Sequence, residues 1–106
     1  MKMITKALEK LTPRLYSQEN KDPSQVKVPL KFFNPCGAAT WYITEANFDE
    51  GLAFGWCDLG MGEPEFGYVS LEELFSVKLR FGLKIERDLH WDPNTTLKQV
   101  MSGEVR

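Results

Sequence analysis

Between residues 26 and 69 the chain is a succession of short β-rich runs broken by turn signals, which leaves few folds open to it. Val26, Val28 and Leu30 alternate with Lys27, Pro29 and Lys31 ahead of Phe32 and Phe33. That period of two predicts a half-buried strand, and Pro29 confines it to a sheet edge or a bulge. Residues 34–37 (NPCG) read as a turn, and 40–44 (TWYIT), aromatic and β-branched, as a second strand. In residues 46–51 (ANFDEG) Gly51 closes a hairpin loop. The return strand sets Leu52, Phe54 and Trp56 on one face and only Ala53, Gly55 and Cys57 on the other, so a helix or a neighbouring backbone can approach closely. Residues 60–65 (GMGEPE) form the next turn and 66–69 (FGYV) the next strand.

Helical signals flank this block. Ile4, Leu8, Leu11 and Leu15 recur at helical spacing and predict a helix over residues 1–16, ended or kinked near Pro13, with a polar loop over 17–25. Ser70 and Glu73 form a capping box for a helix over 70–77. Ile85, Leu89 and Trp91 alternate with Glu86, Asp88, His90 and Asp92, a further strand. Asp92 and Pro93 then serve as N-cap and first residue of a helix over 93–102 that buries Leu97, Val100 and Met101. The expected class is α+β, in the order α-β-β-β-β-α-β-α. Short connections favour one twisted antiparallel sheet of about five strands across residues 26–91, helices against it, and room to curl into a partly closed barrel. At 106 residues and 42% hydrophobic content the chain makes one domain, able to build a core without metal or disulfide staples.

Cys36 and Cys57 stand 21 positions apart with no paired His, so two reduced thiols are expected and neither a metal nor a cofactor is implied. The first residues lack the apolar run of a secretory signal and no 18-residue apolar stretch occurs, so a cytoplasmic protein without membrane contact is the expectation.

The formal net charge of −2 conceals a segregation. Residues 1–31 carry seven basic and three acidic groups, residues 32–77 eight acids and no Lys or Arg, and residues 78–106 six basic and four acidic groups. An acidic block of that length suits a basic protein partner, docking on Asp49, Glu50, Glu63 and Glu65. The basic termini offer the alternative, nucleic-acid binding through Lys2, Lys6, Lys10, Lys27, Lys31, Arg80 and Lys84, provided these gather on one face.

Catalytic signals are thin. GxSxG, HExxH and phosphate-loop patterns are missing from the sequence. Alternation aims Glu86, Asp88, His90 and Asp92 the same way, a row that would suit a metal ion or an acid/base pair, but such a row is also what a solvated strand face looks like. Arg87 breaks the apolar parity of Ile85 and Leu89, as Glu45 breaks that of Trp41 and Ile43. A Glu45–Arg87 ion pair fixing strand register is therefore expected, with ligand binding as the competing role. Trp41, Tyr42, Trp56, Tyr68 and Trp91 would stack bases only if basic residues were interleaved with them, and most lie where none are, so core packing is expected.

The strings LYSQEN (15–20), PLKFFNP (29–35), TWYITE (40–45), FGYVSLEEL (66–74) and GLKIERDLHWDP (82–93), in this order, resemble a widespread family of small bacterial proteins that carries a domain-of-unknown-function label. The resemblance spans about residues 11–98 and includes Trp41, Tyr42, Glu45, Gly67, Tyr68, Arg87 and Asp88. His90 stands where an aromatic such as Tyr is expected. The resemblance implies cargo of plasmids and integrative conjugative elements and supplies no catalytic residues. The expected function is thus a non-enzymatic accessory protein of mobile DNA that acts by protein contacts.

Overall fold

Tight turns make each successive strand the antiparallel neighbour of the last, and the computed structural model, describing residues 3–105, has that arrangement. Strands β1 (Leu30–Phe33), β2 (Thr40–Asn47), β3 (Leu52–Asp58) and β4 (Glu65–Ser70) form a meander. A two-residue β5 (Glu86–Arg87) pairs with the outer side of β1, giving the order β4-β3-β2-β1-β5. The class is α+β and the sheet is antiparallel, but it keeps two free edges and does not close into a barrel.

Helices cover both faces. On one, Leu30, Phe32, Ile43, Ala53 and Val69 make the main core with Leu71 and Leu74 of α2 (Leu71–Ser76), while Ile4 and Leu8 pack on it from α1 (Lys6–Leu11) and its approach. On the other, Tyr42 meets Val26, Val28 and the Leu97 and Val100 side chains of α3 (Leu97–Met101). Every helix is shorter than its sequence signal. Thr5 caps α1, and Thr12 stops it by returning its own N–H and hydroxyl to Leu8 O ahead of Pro13. Helix α3 begins at Leu97 instead of Pro93, because Thr96 and Gln99 form a complete capping box there, while Asp92 caps only a turn over Asn94 and Thr95.

Two strand expectations fail in part, for different reasons. Val26 and Val28 lie outside β1, pairing with Leu97 N–H and Thr95 O beside α3. The strand expected over 85–91 stops at Arg87, where the Asp88 side chain accepts His90 N–H and turns the chain. Ile85 therefore faces the main core, Trp91 swings to the opposite face, and Leu89 is left exposed.

A bulge at Thr44 has the largest effect on side-chain direction. Ile43 pairs with Gly55 but Glu45 with Phe54, so the parity of β2 flips between them. Gly55 is obligatory here, since a Cβ would collide with the Tyr42 carbonyl. Beyond Leu30, where β1 has not yet begun, Pro13 and Arg14 run beside β2, with Ala46 N–H donating to Pro13 O.

Residues 79–83 close a tight turn through Leu79 N–H to Leu83 O (2.9 Å) and Leu83 N–H to Arg80 O (3.1 Å). Its central residues, Phe81 and Gly82, have φ of +60° and +74°, the sign pattern of a type I′ turn in which Asn-Gly is preferred. Glycine adopts this freely, whereas a bulky residue pays about 1–2 kcal/mol. Phe81 is also 94% exposed, so burial does not offset that strain.

Candidate docking groove at the open sheet edge

The acidic block is divided by the hairpins that carry it. Asp49 and Glu50 sit in the β2–β3 loop, and Glu63 and Glu65 sit at the β3–β4 turn, at opposite ends of the seven-residue β3. At about 3.3 Å per residue the two pairs stand roughly 20 Å apart. The four do not make one surface. Glu63 and Glu65 instead converge with a residue the sequence reasoning passed over, Glu73 of α2. The signal was present, since Glu73 belongs to the same Lys- and Arg-free stretch, but β4 ends opposite Leu52, with Leu71 N–H on Gly51 O, and Glu73 reaches the groove only through the course α2 takes from there over the sheet face.

Together these three carboxylates rim a groove of about 440 Å³ on the main-core face of the sheet, beside the unpaired edge of β4. Trp41, Cys57 and Gly67 form its floor, and Leu59, Met61 and Leu74 its apolar sides. Leu59 and Met61 are 50% and 81% exposed, so the β3–β4 turn presents apolar surface to solvent. Gly67 deepens the floor, as a Cβ there would meet only Cys57 Sγ, at 4.0 Å. Burial, followed by the nearby Glu65 carboxylate, pushes the Cys57 thiol above its ordinary pKa. The groove thus combines apolar walls with a purely acidic rim.

Basic residues are dispersed. Lys2 lies outside the described residues. Lys6 and Lys10 are exposed on α1, over the main-core face, whereas Lys27 donates to Asn94 beside α3 on the other side. Lys31 is engaged, 3.4 Å from Asp88 and above the rings of Trp91 (5.1 Å) and Tyr42 (5.9 Å). Arg80 and Lys84 flank the Phe81 turn. The condition for a single basic face is not met by these residues.

The expected Glu45–Arg87 pair does not form. The Thr44 bulge turns Glu45 to the face of Phe54, while Arg87, opposite Phe32, points to the main-core face. Glu45 instead accepts the backbone N–H groups of Tyr16 (2.8 Å) and Gln18 (3.0 Å), fastening the segment after α1 to the sheet. The Glu86-to-Asp92 row is likewise dispersed by the turn at Asp88, whose carboxylate serves His90 N–H and Lys31. Among the described residues no three His, Cys, Asp or Glu side chains gather as a metal site.

Most of the rings pack on one another. Trp56 contacts Phe66 at 4.9 Å, Phe54 contacts Tyr68 at 5.0 Å, and Tyr68 contacts Tyr16 at 6.4 Å. Interaction with the neighbouring Tyr16 side chain is the main reason the Tyr68 phenol lies above its usual pKa.

Residues 3–103 match the family described as a protein of unknown function, DUF2958. The chain belongs to this family. No curated protein and no solved structure matches DUF2958's member described here significantly. For this DUF2958 protein no helix among the described residues is long and apolar enough to cross a membrane.

Proposed function

We propose that this DUF2958 protein is a non-enzymatic accessory protein of mobile DNA that docks a basic segment of a protein partner in the groove beside β4. The observation that carries the reading is the convergence of Glu63, Glu65 and Glu73 around apolar walls, in a stretch holding no Lys or Arg. An apolar floor supplies affinity through buried area, and the acidic rim selects a cationic ligand and speeds its encounter. The open edge of β4 offers backbone groups to an extended segment, a recurrent way of adding a peptide to a sheet. The setting in plasmids and conjugative elements rests on the family resemblance, and a DNA-processing or defence protein is the partner class it suggests.

The test compares captures from the native host, with and without nuclease, by wild type and two charge reversals. Reversing Glu63, Glu65 and Glu73 to Lys should reduce the captured partner about tenfold or more and lessen its salt sensitivity. Reversing Asp49 and Glu50, at the far end of β3, should leave capture unchanged. Gly67→Leu, which fills the floor without touching the charges, should act like the triple reversal. Equal capture by all variants overturns the reading, and capture that vanishes with nuclease favours nucleic-acid binding instead.

A further inference from the structure

Several of the exposed apolar side chains line the groove or sit in the turn that follows it in sequence. Met61, Leu59 and Val77 are 81%, 50% and 40% exposed and all line the groove. Directly after Val77 the chain forms the turn whose tip, Phe81, is 94% exposed in a left-handed backbone conformation. That turn is as basic as the groove is acidic, with Lys78, Arg80 and Lys84 around Phe81 and Leu83. A strained aromatic held out in water between cations has the form of an anchor without its pocket. The groove is a pocket without its anchor.

We propose that the occupant of the groove is a second copy of this chain, with the Phe81 turn of each protomer inserted in the groove of the other. The proposal rests on the docking reading of the groove above and names one ligand for it. Three features favour a second copy. The charges are complementary within one sequence, three carboxylates against three cations. The groove volume of about 440 Å³ accommodates an aromatic side chain and its flanking residue. Val77 also belongs to both parts, lining the groove and leading into the turn, so anchor and pocket share one surface. A two-fold dimer requires that adjacency, because each copy must give and receive through the same patch. Occupation by a second copy also regulates the docking reading, since a basic partner must compete with the Phe81 turn.

Sedimentation equilibrium on the full chain tests this, from about 1 to 500 µM, a range that brackets the micromolar affinities common for small interfaces. Wild type should self-associate, more weakly at high salt. Phe81→Ser should weaken association about tenfold or more, and so should the Glu63/Glu65/Glu73→Lys protein. Mixing the two variants restores one of the two reciprocal contacts, since Phe81→Ser keeps a working groove and the other keeps a working turn, so the mixture should associate more tightly than either variant alone. A wild type that is monomeric throughout, or a mixture that associates no more tightly than either variant alone while both remain folded by circular dichroism, overturns the dimer.

The groove reading is judged separately on the Phe81→Ser protein, by titration with a fluorescent cyclised peptide of residues 77–85. Peptide binding with a monomeric wild type keeps the groove and removes the dimer. A dimer that persists in Phe81→Ser, with no peptide binding, removes both.

Discussion

The Glu45 carboxylate accepts the backbone N–H of Tyr16 at 2.8 Å across 29 positions of sequence, and its other oxygen accepts that of Gln18 at 3.0 Å. One buried acid thus closes the crossing from α1 to the opposite face of the sheet, and the Thr44 bulge is what aims it there. Glu45→Gln replaces one acceptor with an NH2 group facing a donor. It should cost about 1–3 kcal/mol, read as a fall in the denaturant midpoint. A double-mutant cycle of Glu45 with Arg87 should return no coupling, because the two lie on opposite faces.

At Gly55 the limit is steric. Its Cβ would sit on the Tyr42 carbonyl and crowd Ile43, both backbone of the neighbouring strand, so relief requires moving β2 and its bulge. Gly55→Ala should destabilise by about 3 kcal/mol or more, whereas Gly67→Ala, with only Cys57 Sγ nearby, should leave the thermal midpoint almost unchanged. Equal midpoints for the two variants would contradict this account of β3.

Trp91 holds the connection between β5 and α3 by donating its ring N–H to Val28 O at 2.7 Å, with Lys31 over its face. Trp91→Phe keeps much of the packing and leaves the Val28 carbonyl without that donor, a loss of about 1–2 kcal/mol. Lys31→Met keeps the stem on Tyr42 and Trp91 while removing the charge opposite Asp88. It should cost less than about 1 kcal/mol, because the pair is partly solvated.

The two thiols should differ in reactivity. Cys36 is exposed, whereas Cys57 is half-buried and held protonated by burial and by Glu65. A disulfide-exchange reagent at pH 8 should modify Cys36 first, and Glu65→Gln should speed Cys57 by lowering its pKa. The pKa of Cys57 is higher folded than unfolded, so its contribution to stability is intact below the unfolded thiol value. That contribution is lost as pH rises through the folded value. Cys57→Ala should flatten this alkaline decline in unfolding free energy.

The meander was readable from its turn signals, Gly51 and the Gly-rich run before β4, because hairpins are encoded by a few adjacent residues. The flip at Thr44 left one trace, Glu45 breaking the parity of Trp41 and Ile43, but that break suits a buried ion pair as well as a bulge, and the bulge lies where Gly55 of another strand approaches closely. The strand expected over 85–91 failed because, just past the bond from Asp88 N–H to Lys31 O, the Asp88 side chain takes His90 N–H and turns the chain. The acidic groove was half legible. Its charge was visible in the Lys- and Arg-free stretch, but separating Asp49 and Glu50 from it required the hairpins that bound β3, and assigning Glu73 to it required the course of α2 over the sheet.

The sheet's two borders are unequal: β5 contributes two residues to one side, and β4 contributes six to the other. A sheet with a usable border on one side only can be doubled but not repeated, because joining two such borders leaves nothing long enough to recruit a third copy. Edge-to-edge pairing of two copies through β4 therefore stops at two.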